Sequence, residues 1–146
     1  MWPAETGQAV YLDSNIFIYA VQKSDHWTKS AEALLKAIDE QKVRAVASEL
    51  VLAEVLSKPF ALGNTRHIEQ YQRLLSTGTG LSMVNVSREV LVLAAQLRGE
   101  TGLKLLDAIH VATARFSKCD YFLTQDERLG RALSDQPRWL KLSELT

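Results

Sequence analysis

Short apolar segments rich in β-branched and aromatic residues alternate along this chain with longer segments of helical periodicity. Four segments predict strands, at 9–13, 43–47, 81–86 and 121–124. WLKL (139–142) is a possible fifth strand. Between them, apolar residues recur at three- and four-residue spacing, as in 27–40 and 105–117. Strands joined by helical crossovers run parallel. The sequence therefore predicts an α/β fold, a three-layer α/β/α sandwich with a central parallel sheet of four to five strands.

The helix ends in this alternation are marked by residues with known capping or breaking preferences. Ser48 is a candidate N-cap for a helix that we expect to end at Lys58, because Pro59 follows. Gly63 and Asn64 predict a turn before a more polar helix at about 65–75.

Length and composition indicate one ordinary globular domain spanning residues 1–146. Apolar residues make up 47% of the chain and charged residues 23%. Lys plus Arg and Asp plus Glu both total 17, so an anionic substrate must be held by a local patch or a metal. Cys119 is the single cysteine, which excludes an internal disulfide and fits a reducing compartment. With no signal-peptide pattern and no apolar run long enough to span a bilayer, we expect a cytoplasmic protein without a membrane partner.

Two aspartates follow predicted strands. Asp13 comes directly after the first strand, and Asp126 lies just past the fourth. In open parallel sheets, ligands bind outside the carboxyl ends of the strands, so these positions indicate a functional site. The alternative for each aspartate alone is an ordinary helix cap or turn residue.

Two further acids lie on helices with little polar surface. The helix around Glu54 is apolar on nearly every side, which predicts a buried helix and a carboxylate that needs a partner. A salt bridge to Arg or Lys is the alternative to a functional role. Asp107 begins another apolar helix, where a carboxylate that complements the helix dipole or caps the N-terminus is the alternative.

Four acids in apolar settings can converge on one pocket, and such a cluster needs a cation. Two like charges about 4 Å apart repel by about 4 kcal/mol at an effective dielectric constant of about 20. Carboxylate oxygens without cysteine or paired histidine ligands favour Mg²⁺ or Mn²⁺ over zinc. A metal held by carboxylates suits phosphoryl transfer, so the sequence indicates phosphodiester hydrolysis.

The segments YLDSNIFIYA, SELVLAEVLSK, GLKLLDAIHVATA and YFLTQDERL together resemble a PIN-domain ribonuclease, and most of all a VapC-type toxin of a type II toxin–antitoxin system. The resemblance covers nearly the whole chain, and its specificity lies in the order and spacing of the motifs. It implies that the family's four metal-binding acids correspond to Asp13, Glu54, Asp107 and Asp126. It also implies that Asn15 and Thr124 orient carboxylates or a metal-bound water. The implied strand order is 3-2-1-4-5, which would make Asp13 and Asp126 neighbours.

The same resemblance implies an activity and partners. Water bound to Mg²⁺ or Mn²⁺ would attack the phosphorus of single-stranded or looped RNA in line, leaving a 5′-phosphate and a 3′-hydroxyl. A small antitoxin and a homodimer are implied as well, with 27–40 and 65–75 as contact surfaces.

Several other polar residues are weaker candidates. Lys58, Arg66, Arg73 and Lys104 could hold the RNA backbone, but each is more commonly an ordinary solvated charge. His110 shares no metal-ligand spacing with other histidines and is better interpreted as a packed or hydrogen-bonding side chain.

Three competing functions fit less well. A phosphatase with a strand-end aspartate nucleophile would need a second aspartate where Asn15 stands. A receiver domain would need a central phosphorylatable aspartate, which the third strand does not offer. A catalytically silent RNA-binding or scaffold protein should have lost some of the four acids, and all four are present.

Overall fold

Five parallel strands form one sheet in a computed structural model, which describes residues 7–23, 26–78 and 80–145. The strands are β1 (Ala9–Leu12), β2 (Arg44–Ser48), β3 (Leu81–Val84), β4 (Tyr121–Leu123) and β5 (Arg138–Leu140). Their order is β3-β2-β1-β4-β5, and every neighbouring pair is parallel. The expected order 3-2-1-4-5 is confirmed, with WLKL contributing to the fifth strand. Predictions about residues 1–6 lie outside the described residues.

Seven helices of the described chain cover the two faces of this sheet. They are α1 (Ser14–Gln22), α2 (Thr28–Asp39), α3 (Leu50–Leu62), α4 (Thr65–Leu74), α5 (Arg88–Thr101), α6 (Leu105–Phe116) and α7 (Glu127–Ala132). Val10 and Leu12 of β1 belong to the apolar core with α1 to α4, whereas Tyr11 belongs to the core with α5, α6 and α7. This alternation follows from the two-residue period of a strand. The predicted three-layer sandwich is confirmed. No helix in these ranges combines the length and apolarity needed to cross a bilayer.

Helix α3 continues past the proline that we expected to stop it. Pro59 is buried inside the helix, which ends four residues after the predicted Lys58. The helix ends at Gly63, whose left-handed φ of 64° costs a glycine little. The N–H of Asn64 then donates to the carbonyl of Pro59 at 2.9 Å and closes the last turn. A proline removes one backbone donor from the helix, and here the following turn still forms. The expected turn and the following helix are confirmed.

Helix α1 begins directly after β1 and was not delimited from the sequence. Its Ile16 and Phe17 are fully buried, because the helix packs its apolar side chains into the core beside β1. Asp13 therefore occupies the junction between strand and helix, with extended backbone angles (φ −68°, ψ 153°). Its side chain makes no capping hydrogen bond to α1, which leaves the carboxylate available to other groups.

Candidate active site at the carboxyl edge of the sheet

The first and fourth strands place Asp13 and Thr124 side by side. β1 and β4 pair with Leu12 opposite Leu123, and the next residue of each strand carries the polar side chain. Thr124 Oγ1 donates to Asp13 Oδ2 at 2.7 Å and accepts from the backbone N–H of Asp126 at 3.1 Å. A single buried hydroxyl thus joins the two strand-end aspartates. Thr124 contacts a carboxylate as expected, and its hydroxyl connects the Asp13 side chain to the backbone of Asp126.

Asp13 is the most buried of the four acids. Only 7% of the residue is exposed, and Ser14 Oγ lies 3.4 Å from its Oδ1. In the described part of the chain no lysine or arginine forms an ion pair with it. Burial raises the pKa of the Asp13 carboxyl, while the Thr124 hydrogen bond and the nearby His110 oppose that rise. The ionised carboxylate is therefore held at a cost that a bound cation would relieve.

Glu54 is held by a histidine and not by the lysine or arginine of the alternative interpretation. His110 Nε2 lies 2.7 Å from Glu54 Oε1, and His110 Nδ1 lies 2.5 Å from the hydroxyl of Tyr11. Burial raises the pKa of Tyr11, so its hydroxyl keeps its proton and can donate to Nδ1. A neutral imidazole with its proton on Nε2 satisfies all three groups. This chain of hydrogen bonds fixes the Glu54 carboxylate at the site and agrees with the interpretation of His110 as a hydrogen-bonding residue.

The expectation that α3 is a buried helix is wrong. Only three residues of the helix are fully buried, and Phe60 and Leu62 are 61% and 70% exposed. The apolar stretch around Glu54 has half-buried Leu52 and Leu56, which pack against the core formed with α1 to α4. Glu54 keeps a side-chain exposure of 20% and so remains open to solvent.

Asp107 and Asp126 are connected through Arg128. Asp107 lies in the first turn of α6, and its Oδ2 accepts a hydrogen bond from Arg128 Nη2 at 3.2 Å. The backbone N–H groups of Arg128 and Leu129 donate to Asp126 Oδ1 at 3.0 and 3.2 Å. Asp126 therefore caps α7, which is the alternative that we stated for it, and its Oδ1 serves that cap. This arginine was not singled out from the sequence.

Asn15 has no contact that supports its predicted orienting role. The residue is exposed on the first turn of α1, and within the described chain its amide makes no hydrogen bond to the acids. Ser14, the residue between Asp13 and Asn15, provides the local hydroxyl instead.

The donor chemistry fits a hard divalent cation, although the side chains are arranged around internal partners. Asp13, Glu54, Asp107 and Asp126 offer only carboxylate oxygens, the ligands of Mg²⁺ and Mn²⁺. Among residues 7–23, 26–78 and 80–145, no group of three or more His, Cys, Asp or Glu side chains is placed to hold an ion. Glu54 is bonded to a histidine, and Asp107 is paired with the guanidinium of an arginine, which supplies a positive charge there. Metal binding would therefore require these contacts to change.

Two cavities lie away from the acids. A cavity of about 540 Å³ and another of about 330 Å³ are both lined by Leu35, Arg73 and Leu74, from α2 and α4. None of the four acids lines either cavity.

Known structures share this fold at low sequence identity. The chain is similar to VapBC2 from Rickettsia felis, solved bound to a promoter DNA fragment (17% identity, 91% of this chain and 98% of that chain, TM-score 0.68). It is also similar to DNA-bound VapBC from Salmonella typhimurium (13% identity, 92% and 98% coverage, TM-score 0.71). A third similar structure is Mycobacterium tuberculosis VapC20, a toxin that cleaves the sarcin-ricin loop (16% identity, 84% and 94% coverage, TM-score 0.67).

Sequence comparison gives the family. No curated protein matches the chain. The family model of the PIN domain matches residues 10–132, which include all but the first residue of β1, all of β2 to β4 and α1 to α7, and all four acids. The sheet order, the carboxylates at the ends of β1 and β4, and this match lead to one conclusion: the chain belongs to the PIN-domain family.

Proposed function

We propose that this chain is a metal-dependent endoribonuclease and the toxin of a VapBC-type toxin–antitoxin pair. The proposal is supported by the hydrogen bonds that connect three of the acids: the Thr124 hydroxyl joins the Asp13 carboxylate to the backbone of Asp126, and Arg128 donates to both Asp126 and Asp107. PIN nucleases generally use divalent metals. The similar structures include a toxin that cleaves the sarcin-ricin loop, which is RNA.

The proposed roles follow from the contacts. Asp13, Glu54, Asp107 and Asp126 would hold Mg²⁺ or Mn²⁺, which would supply a nucleophilic water and neutralise charge on the phosphate. Thr124 holds the Asp13 carboxylate in place, and His110 does the same for Glu54. Asn15 stays a proposed orienting residue.

The reaction that these residues would support is hydrolysis of an RNA phosphodiester. A water oxygen bonds to phosphorus while the bond from phosphorus to the 3′ oxygen breaks. One carboxylate accepts the proton of the water, and the 3′ oxygen takes up a proton. The products are a 5′-phosphate and a 3′-hydroxyl.

A cleavage assay with substituted acids tests the proposal. The purified full chain is incubated with a panel of transfer, ribosomal and messenger RNAs in Mg²⁺, Mn²⁺ or EDTA. We expect cutting that needs metal and that Asp13→Asn and Asp107→Asn each abolish. Glu127→Gln is the matched control, because Glu127 is an exposed acid next to Asp126 that pairs with Arg131. Cleavage that persists in EDTA, or in both aspartate variants, would contradict the proposal.

A catalytically silent RNA-binding or scaffold protein is the second candidate. It is favoured by the internal partners of Glu54 and Asp107, which bind these carboxylates without a metal. Binding of RNA without cleavage under every metal condition would support it.

The partner proteins are a small antitoxin and a second copy of the chain. The groove lined by Leu35 and Leu74 joins α2 and α4, the two surfaces expected to contact an antitoxin. For the homodimer we propose the exposed apolar side chains of α5 and α6, among them Val92 (61% exposed) and Leu105 (50% exposed). Light scattering should give the mass of two chains for the protein and of one chain for Val92→Glu. A monomeric wild-type protein would contradict the dimer.

A further inference from the structure

Arg128 contacts two of the four acids with two different parts of the residue. Its backbone N–H donates to Asp126 Oδ1 at 3.0 Å, and its guanidinium Nη2 donates to Asp107 Oδ2 at 3.2 Å. The first contact is part of the N-terminal cap of α7 and fixes the backbone position of Arg128. The second is made by the end of a long side chain and can change without disturbing the helix.

The ion pair between Arg128 and Asp107 is open to solvent. The side chain of Arg128 is 58% exposed and that of Asp107 is 23% exposed. Ion pairs at this exposure contribute little to stability, because water and salt screen them. The ion pair therefore separates easily. It contributes little to the stability of the fold, so we look for its function in the candidate site.

Two cations compete for the same oxygen at Asp107. A guanidinium on Oδ2 blocks one ligand position, and a divalent ion beside it would repel the positive charge of the arginine. Arg128 must therefore leave Asp107 when the four acids take up a metal. Once released, its planar guanidinium matches the oxygens of a phosphate group, which it can bind through two N–H groups.

We propose that Arg128 is an exchangeable counter-ion and substrate-binding residue: it holds Asp107 in the metal-free protein, and after a divalent ion binds it holds a phosphate of the RNA. This inference rests on the proposed function and adds a residue to it. Until the metal is in place, Arg128 is paired with Asp107 and contributes nothing to RNA binding. None of the basic residues considered from the sequence alone contacts a carboxylate of the site within the described chain.

The first test measures metal affinity without RNA. Mn²⁺ binding to the full-length protein is followed by electron paramagnetic resonance of the free ion at about 0.15 M salt, where distant charges are screened. Arg128→Gln should bind Mn²⁺ about two- to fivefold more tightly, the factor expected from losing one exposed competing ion pair. Arg131→Gln is the matched control, since Arg131 lies on the same helix and pairs with Glu127. Equal tightening in both variants, or none in Arg128→Gln, would overturn the inference.

The second test measures RNA affinity with and without metal. Fluorescence anisotropy of a labelled oligouridine is recorded in EDTA and in Mn²⁺, and the length of the RNA is checked on a gel after each titration. In EDTA, wild type and Arg128→Gln should bind equally, because Asp107 occupies the arginine. In Mn²⁺, Arg128→Gln should bind about three- to tenfold more weakly, with a salt dependence reduced by about one charge, and Arg128→Lys should recover part of the loss.

The outcomes separate this inference from the proposed function. An equal loss of RNA affinity in EDTA and in Mn²⁺ would make Arg128 an ordinary surface contact and overturn the exchange. If the wild type cuts RNA with metal while Arg128→Gln shows unchanged Mn²⁺ affinity, only the inference fails. If the wild type binds no Mn²⁺ and cuts no RNA, both fail.

Discussion

Asp13→Asn should make the metal-free protein more stable, because the carboxylate is buried without an ion pair. Asparagine has the same size, and its amide oxygen can still accept the hydrogen bond from Thr124, which is 2.7 Å long in the wild type. The substitution removes the charge whose burial raises the pKa of Asp13. We expect a gain of about 1 kcal/mol in the free energy of unfolding at neutral pH, typical of relieving a strained functional site. For a chain of this length, Tm would rise by about 3 to 4 °C.

The gain should depend on pH in a direction fixed by the pKa shift. The ordinary pKa of an aspartate is 3.8, and the folded protein raises it for Asp13. Between those two values the folded state binds more protons than the unfolded state, so the stability of the wild type falls as pH rises. Below the ordinary value the carboxyl is neutral in both states and the advantage of asparagine disappears. The difference in unfolding free energy between Asp13→Asn and wild type should therefore grow as pH rises from about 4 and become constant above the pKa of Asp13 in the folded protein.

Urea unfolding in EDTA, followed from about pH 4 to pH 7.5, measures this difference. Glu127→Gln, which removes an exposed carboxylate, should match the wild type throughout the same range. Adding Mn²⁺ should reverse the order, because a ligand that binds only the folded state stabilises it and Asp13→Asn loses a ligand to the ion. An Asp13→Asn variant that is less stable than wild type in EDTA at pH 7, or a difference that does not vary with pH, would refute the reasoning.

Two further substitutions test the packing around the site. Gly130→Ala should lower the free energy of unfolding by about 1 to 3 kcal/mol, because the added Cβ would lie 2.0 Å from Cε2 of Trp139 and the ring must move. Gly99→Ala is its control, since a Cβ there has no heavy atom within 4 Å and should stabilise α5 by about 0.5 to 1 kcal/mol. His110→Ala should cost about 2 to 4 kcal/mol by leaving its buried partner groups without hydrogen bonds and creating a cavity. Urea midpoints measure all three, and a wild-type midpoint for Gly130→Ala or His110→Ala would contradict the corresponding contact.

The sheet was predictable from the sequence, whereas some helix ends were not. Strand segments and crossover helices follow from local periodicity, and the strand order came from the family resemblance. Pro59 was misjudged because its effect depends on whether the next turn can form, and the strong stop at Gly63 lies only four residues further on. Helix α1 was not delimited because β-branched and aromatic residues are common in strands, while here tertiary burial decides their conformation.

In the candidate site, the positions of two acids could be predicted from the sequence, but the hydrogen-bond partners of the other two could not. Asp13 and Asp126 could be placed at one edge of the sheet because parallel strands end together, and Thr124 lies there as the family pattern implied. The partners of Glu54 and Asp107 could not be foreseen, since His110 is 56 residues from Glu54 and Arg128 is 21 residues from Asp107. Such pairings depend on how helices pack over the sheet edge and leave no periodic signal in the sequence.

Charge repulsion alone suggested that four ionised acids require a divalent ion, and the structure offers a partial answer of its own. Glu54 is bonded to His110, Asp107 is paired with Arg128, and Asp126 accepts two backbone hydrogen bonds. Asp13 accepts a hydrogen bond from the Thr124 hydroxyl and has no ion pair within the described chain. If the proposal holds, metal uptake is an exchange, and the metal affinity would include the cost of separating Arg128 from Asp107. RNA would lower that cost by giving the guanidinium another anion. By thermodynamic linkage, RNA must tighten metal binding by the same factor by which metal tightens RNA binding.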